Sequence, residues 1–317
     1  MKVFEISSAD TLQKVRTFLE NCACRISPDN TAESRNAAVR EITEAVRERG
    51  DEALADYTKR FDGVSLTPAQ FELTKDEIDE AVQQVPKHII AMLERAQKNI
   101  RAFHMKNLRI SWEENAPDGS MYGQRITPIE SAGVYVPGGK AFYPSSVLMN
   151  IVPARVAGVE KIIMVSPPSY KGTIHPAVVA AAKIAGASRV FRVGGAQAVA
   201  ALAYGTAHIP SVVKITGPGN VYVTAAKAMV RGTVDIDSEA GPSEVAVIAD
   251  QKANPSYVAA ELLAQAEHDE DAMCLLFTPS KDLAEATIKI VNERAPKMKR
   301  ANIIQASLKQ FSAVIIV

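Results

Sequence analysis

No apolar run in this sequence approaches the ~20 residues that a membrane-spanning helix needs. The opening MKVFEISSAD carries a glutamate where a signal peptide would need an apolar segment. A cytoplasmic protein with no membrane partner is therefore expected. Net charge is missing as well, because 36 basic side chains cancel 36 acidic ones. That removes the electrostatic reason to expect nucleic acid as a partner. Small charged ligands stay open, since totals do not constrain one pocket. Cysteine is scarce: Cys22 and Cys24 form a lone C-x-C with no second pair, and Cys274 sits in the apolar run AMCLLF. All three read as reduced thiols rather than a zinc knuckle. There is no repeat of fixed period and no low-complexity linker.

The 317 residues suffice for two domains and a sizeable buried core. Residues 31–107 read as helical. TAESRNAAVREITEAVRERG places Val39, Ile42 and Val46 on one face, and Gly50 is a stop signal. DEALADYTKRFDG continues with Leu54, Tyr57 and Phe61 at helical spacing. A third helical stretch, DEIDEAVQQVPKHIIAMLERAQKNIRAFH, is interrupted near Pro86. His88 and His104 fall on ordinary helix faces there.

The texture changes near residue 125. Short β-rich runs (SAGVYVPGG, KIIMVSPP, RVFRVGG, SVVKITGPGN, SEVAVIAD, AMCLLFTPS) alternate with alanine-rich helical ones. Such alternation builds parallel sheets with helices on both faces. In doubly wound sheets, ligands bind at the carboxyl ends of strands, near helix N-termini. Three glycine turns occupy such places: VPGGKAFYPSS after Tyr135, VGGAQA before a helix at Gln197, and ITGPGN before a helix at Asn220. Gly217 and Gly219 supply G-x-G, but Tyr222 stands where the dinucleotide fingerprint has its third glycine. Each turn is also what a strand-to-helix connection needs for purely structural reasons. Only convergence of the three would mark a site.

Two polar patches follow. DIDSEAGPSEVAVIAD carries Asp235, Asp237 and Glu239 ahead of Ser243. It reads either as an acidic surface loop or as a loop that crosses into a pocket and offers the Ser243 hydroxyl. LLAQAEHDEDA sets Gln265 and His268 three apart, so a helix would present both to one point. An amide oxygen and an imidazole are a plausible half of a metal shell. An exposed helix terminus, with a histidine favouring the negative end of the dipole, is the plainer reading.

Taken together, the stretches change the balance. GVYVPGGKAFYPSSVLMNIVPARVAGV, GGAQAVAALAYGT, KITGPGNVYV, DSEAGPSEVAVIAD and LLAQAEHD, in this order, closely resemble histidinol dehydrogenase, as does RERGDEALADYTKRFDG. The resemblance runs from about residue 30 onward. It implies two Rossmann-like parallel-sheet units with helices on both faces, plus a helical N-terminal segment. The expected partition is an N-terminal arm at 1–30, a discontinuous α/β domain of 31–134 with 243–317, and an NAD-binding domain at 135–242. It implies a homodimeric, zinc-dependent enzyme that oxidises L-histidinol through the aldehyde to L-histidine, reducing two NAD. The cofactor-contacting positions fall on Tyr135, Gln197 and Asn220. The substrate-contacting positions fall on Ser243, Gln265 and His268, and the last two are also zinc ligands.

One departure is large. The family's general base and its partner form a Glu-His pair in a P-E-H-L segment. This sequence has no such segment, and its only E-H is Glu267–His268. The remaining aspartate and histidine zinc ligands are likewise expected beyond Val317, and FSAVIIV reads as a strand. A truncated chain with no catalytic acid–base residue of its own is therefore expected. Alternatives are a non-catalytic shortened homologue and a dehydrogenase of another small alcohol on the same scaffold.

Overall fold

The computed structural model describes residues 1–24, 32–138, 142–239 and 243–317. Parts of the VPGGKAF and EAGPSE turns lie outside the described residues. The chain divides into two compact units, 1–32 with 241–317, and 33–240.

The elements run in chain order. Strand β1 (Lys2–Glu5) leads to α1 (Ala9–Cys24), then α2 (Ala32–Arg49), α3 (Asp51–Asp62), α4 (Lys75–Gln83) and α5 (Lys87–Met105). A two-stranded hairpin follows, β2 (Trp112–Asn115) and β3 (Met121–Gln124). Then come β4 (Ser131–Tyr135), α6 (Pro144–Val156), β5 (Lys161–Val165), α7 (Pro176–Ala185), β6 (Arg189–Phe191) and α8 (Gly195–Tyr204). These lead to β7 (Lys214–Thr216), α9 (Val221–Val230) and β8 (Asp235–Ile236). The last part holds β9 (Glu244–Ile248), α10 (Pro255–Ala266), β10 (Met273–Thr278), α11 (Lys281–Arg294), α12 (Ala301–Gln310) and β11 (Ala313–Ile316).

In the 33–240 unit the five parallel strands lie in the order β6-β5-β4-β7-β8. The chain starts at β4, steps outward to β6, then returns to β7 on the other side. That reversal is the switch point of a doubly wound sheet. Strand alternation assigns the two faces. Ala132, Val134, Ile162, Met164 and Val190 pack with residues of α5, α6 and α7, including Leu93, Val147, Ile151 and Val178. Tyr135, Ile163, Val165 and Phe191 face the other way, onto Val39, Ile42, Val46, Leu54 and Tyr57 from α2 and α3 and onto α8 and α9. Helix starts and stops are local: Thr74 and Glu77 form a capping box on α4, and α5 begins after Pro86.

This partition differs from the expected one. The helices of the 31–134 segment share their cores with the sheet of 131–236, because their apolar faces cover that sheet on both sides. The first 24 residues, expected as part of an N-terminal arm, pack within the unit that holds 241–317. β1 pairs in parallel with β11, and α1 sets Val15 and Phe18 against Met273, Leu275, Ala313 and Ile315. Pairing across some three hundred residues has no local sequence signal, whereas helical periodicity does.

In the unit of 1–32 with 241–317, four parallel strands lie in the order β1-β11-β10-β9. Helices α10, α11 and α12 cover one face and α1 the other. The apolar AVII strand is interior, with β1 on one side and β10 on the other. Both sheets are therefore parallel with helices on both faces.

Candidate functional site

The three sequence-marked positions Tyr135, Gln197 and Asn220 line one cavity of about 540 Å³. The fold explains why. Tyr135 ends the central strand β4, Gln197 lies in the first turn of α8 after β6, and Asn220 caps α9 after β7. All three are at carboxyl ends of strands around the switch point. Phe61, Asp62, Arg60 and Tyr222 complete much of the wall.

Two of the turns interlock through glycine. Gly217 has φ +114°, and a Cβ there would stand 2.0 Å from the Tyr135 carbonyl oxygen. No other residue fits, on either count. Gly194 packs against Pro167, where a Cβ would meet side-chain carbon at 2.4 Å. Both glycines thus pack tightly against residues of the cavity wall, Tyr135 and Pro167.

The polar groups at the cavity divide into satisfied and unsatisfied ones. Asn220 Oδ1 accepts the N–H groups of Tyr222 and Val223 at 3.1 and 3.0 Å, so half of this amide caps the helix. Only its NH2 remains for a ligand. The Gly195 N–H donates to the Tyr135 hydroxyl at 3.2 Å. Burial pushes that phenol up to about 12, with the nearby Asp62 carboxylate adding to the rise, so Tyr135 stays protonated at neutral pH. By contrast, Gln197 is 1% exposed, and neither its oxygen nor its nitrogen has a hydrogen-bond partner. Asp62 Oδ2 is also buried without a partner, and burial raises this carboxyl to about 6. Buried polar atoms of this kind normally find partners. The Gln197 amide thus offers a donor and an acceptor, and Asp62 an acceptor, in the wall of the same cavity.

The acidic patch is resolved within this unit. Asp237 accepts the Gly217 N–H at 2.8 Å and pairs with the buried Lys227, whose ammonium also donates to the Gly217 carbonyl at 3.1 Å. It is neither solvent decoration nor a ligand group; it holds the G-P-G turn. Asp235 pairs with Lys214, and Glu239 with Arg231 at 3.3 Å. Asp62 carries no motif of its own in the sequence, where it closes the helical stretch DEALADYTKRFDG. The available signal was an acid in the last residue of a helix, where the dipole disfavours it.

The other unit carries the remaining marked residues. Ser243 is exposed, immediately before β9, and its carbonyl accepts the Met273 N–H at 3.1 Å. Gln265 lies in the last turn of α10 and is half-buried, with its Nε2 unpartnered. His268 follows the helix and is exposed. Its N–H donates to the Gln265 carbonyl at 3.2 Å, and its own carbonyl accepts from Arg300 at 3.2 Å. Among the described residues no group of three or more His, Cys, Asp or Glu could hold a metal ion. Gln265 and His268 are donors of the right chemistry, but two neutral ligands do not by themselves make a zinc site. Among the described residues no helix is long and apolar enough to cross a membrane.

A doubly wound sheet with unsatisfied polar groups in the crevice at its switch point defines an α/β protein of the ligand-at-strand-end class. Comparison with known proteins narrows this further. The histidinol dehydrogenase family model matches residues 26–317. The histidinol dehydrogenase of Heliobacterium mobile is 51% identical over 289 residues, covering 90% of this chain and 68% of that protein. That of Bacillus subtilis is 44% identical over 314 residues, covering 99% and 71%. The crystal structure of histidinol dehydrogenase from Elizabethkingia anophelis superimposes with a TM-score of 0.87 at 35% identity, covering 100% of this chain and 71% of that one. This chain belongs to the histidinol dehydrogenase family of oxidoreductases, and it spans about two thirds of the length of those relatives.

Proposed function

We propose that the protein oxidises L-histidinol through L-histidinaldehyde to L-histidine, with NAD held in the cavity of Tyr135, Gln197 and Asn220. The observation that supports this best is the Gln197 amide, buried at the switch point with both its polar atoms unpartnered. A carboxamide or a purine edge pairs with a donor and an acceptor set side by side. The Asn220 NH2 and the positive end of the α9 dipole favour an anionic pyrophosphate. When bound, NAD accepts the hydride removed in each of the two oxidations.

The residues of the chain supply binding and orientation. Tyr135 receives the Gly195 N–H and keeps its own proton, so it donates and cannot act as a base near neutral pH. The interlocked glycine turns and the Lys227–Asp237 pair brace Tyr135 and Pro167 of the cavity wall. Ser243, Gln265 and His268 are the residues we assign to histidinol, and Gln265 and His268 are the pair this chain would contribute to a zinc ion that positions it. The proton acceptor is assigned to the Glu-His segment that the resemblance implies and this sequence does not contain.

A homodimer fits an apolar surface of the 33–240 unit. Trp112, Met121 and Tyr122 on the hairpin, with Ile110 beside it, are exposed. A face of this kind is typical of a covered interface. Sedimentation of the purified protein tests it. The function itself is tested by mixing the complete natural protein with L-histidinol and NAD. Histidine formed with two NAD reduced per molecule supports the reading. Failure to bind NAD at millimolar concentration refutes the placement of the cofactor.

A further inference from the structure

Asp62 is the one carboxylate of the cavity wall with a buried, unpartnered oxygen, and its position is unfavourable for the fold alone. It is the last residue of α3, at the negative end of the helix dipole. Only a positive or hydrogen-donating neighbour would offset that placement, and among the described residues Oδ2 has no hydrogen-bond partner. The neighbouring cation, Arg60, is exposed and lies over the Phe61 ring at 5.2 Å, so its charge is screened by solvent. Glu41, on the same wall, adds a second negative charge.

The chemistry of the missing partner can be read from this. A carboxylate only accepts, and its two oxygens match two adjacent O–H donors. In a dinucleotide those donors are the vicinal hydroxyls of a ribose. Phe61 is next in sequence, lines the same cavity and is half-exposed; Tyr57 stacks on it at 5.6 Å between ring centres, and the exposed Arg60 guanidinium over the ring would swing aside for a base. A solvent-reaching aromatic platform suits a base that undergoes no chemistry. The reacting half of a hydride carrier needs the drier end of the site.

We propose that Asp62 is a specificity-determining residue that holds the hydroxyls of the adenosine ribose and excludes a 2′-phosphate, with Phe61 as the platform for the adenine. This rests on the placement of NAD proposed above. A phosphomonoester in the same position would set a dianion against a partly desolvated carboxylate with Glu41 nearby. It would also leave the buried oxygen without a donor.

Equilibrium binding of NAD and NADP to the purified protein, followed by calorimetry, tests this without turnover. The unmodified protein should bind NAD at least ~10-fold more tightly than NADP, the scale of one charge-assisted pair. Asp62→Asn should weaken NAD by ~10-fold, tighten NADP by relieving the repulsion, and bring the ratio towards one. Asp62→Glu, which keeps the charge, should retain a preference for NAD. Both ligands are measured on the same sample, so a folding defect lowers both together and does not change the ratio. An unaltered NAD-to-NADP ratio in Asp62→Asn, with NAD still bound, overturns the assignment of Asp62 alone. No NAD binding by the unmodified protein overturns the cofactor placement together with it.

Discussion

Lys227 and Asp237 clamp one residue between them: the ammonium of the first holds the Gly217 carbonyl at 3.1 Å, and the carboxylate of the second holds the Gly217 N–H at 2.8 Å. The two side chains also pair directly, with Lys227 almost fully buried and Asp237 about one third exposed. Gly217 is the residue whose φ of +114° lets the turn close against Tyr135. The ion pair therefore fixes the turn that packs against Tyr135 of the cavity wall. Lys227→Met should destabilise the protein by about 3 kcal/mol, the low end for breaking a buried pair, because Asp237 keeps partial solvation. It should weaken NAD more than a substitution of equal thermal cost elsewhere. Chemical denaturation and NAD titration measured on the same variant check both halves.

Asn220 has two jobs that substitution can separate. Its Oδ1 caps α9 through Tyr222 and Val223, while its NH2 is the group left for a ligand. Asn220→Ala should cost about 1 kcal/mol through the lost cap and should also weaken NAD. Asn220→Asp keeps the cap, so its melting temperature should stay close to that of the unmodified protein. It replaces the donor with a negative charge, so NAD binding should fall further than in the alanine variant. Equal NAD affinity in Asn220→Asp and the unmodified protein would remove Asn220 from the cofactor site.

Asp62 also makes a prediction in pH. Burial raises its carboxyl to about 6 from the ordinary 3.8. The folded state therefore binds this proton more tightly than the unfolded state. Stability from this group is fully present below about pH 3.8, is lost as pH rises through about 6, and is flat above. Asp62→Asn should consequently be more stable than the unmodified protein at neutral pH, by about 1 kcal/mol after allowance for solvent around a partly exposed group. NAD affinity should have the opposite sign: it falls as pH drops below about 6, where the acceptor is protonated. The other ionisable groups on the wall are Glu41, Arg60, Tyr135 and Tyr222, and Asp62→Asn should abolish the drop if Asp62 causes it. Denaturation and NAD titration from acid to neutral pH check the two signs.

The polypeptide of residues 1–317 by itself should turn over histidinol negligibly. The general base is assigned outside this sequence, and its absence typically costs ~10²–10⁴-fold. The same polypeptide should not retain stoichiometric zinc after dialysis, since Gln265 and His268 bring no charge to offset dehydration of a divalent ion. NADH formation by a preparation free of longer chains tests the first statement. About one zinc per chain by elemental analysis would show that the ligand set has been misread.

Local physics was enough for much of this. The sequence alone determined that Gly50 separates two helices, that Pro86 breaks the next stretch, and that apolar β-rich runs alternate with alanine-rich helices to give parallel sheets. These follow from periodicity, the missing N–H of proline and the freedom of glycine, all of which act over a few residues. It also marked Tyr135, Gln197 and Asn220, because glycine turns after strands are readable one at a time. That the three line one cavity was decided by the tertiary structure, through the placement of β4 between β5 and β7. The same holds for β1 beside β11, for the helices of 33–105 covering the β4–β8 sheet, and for the exposed hairpin, whose strands have no buried face to impose alternation. Asp62 and Lys227 belong to this second group most clearly. A charged side chain in a helical pattern looks like solvated surface, and only packing shows whether its partner is water, an aspartate beneath a glycine turn, or a ligand in the cavity.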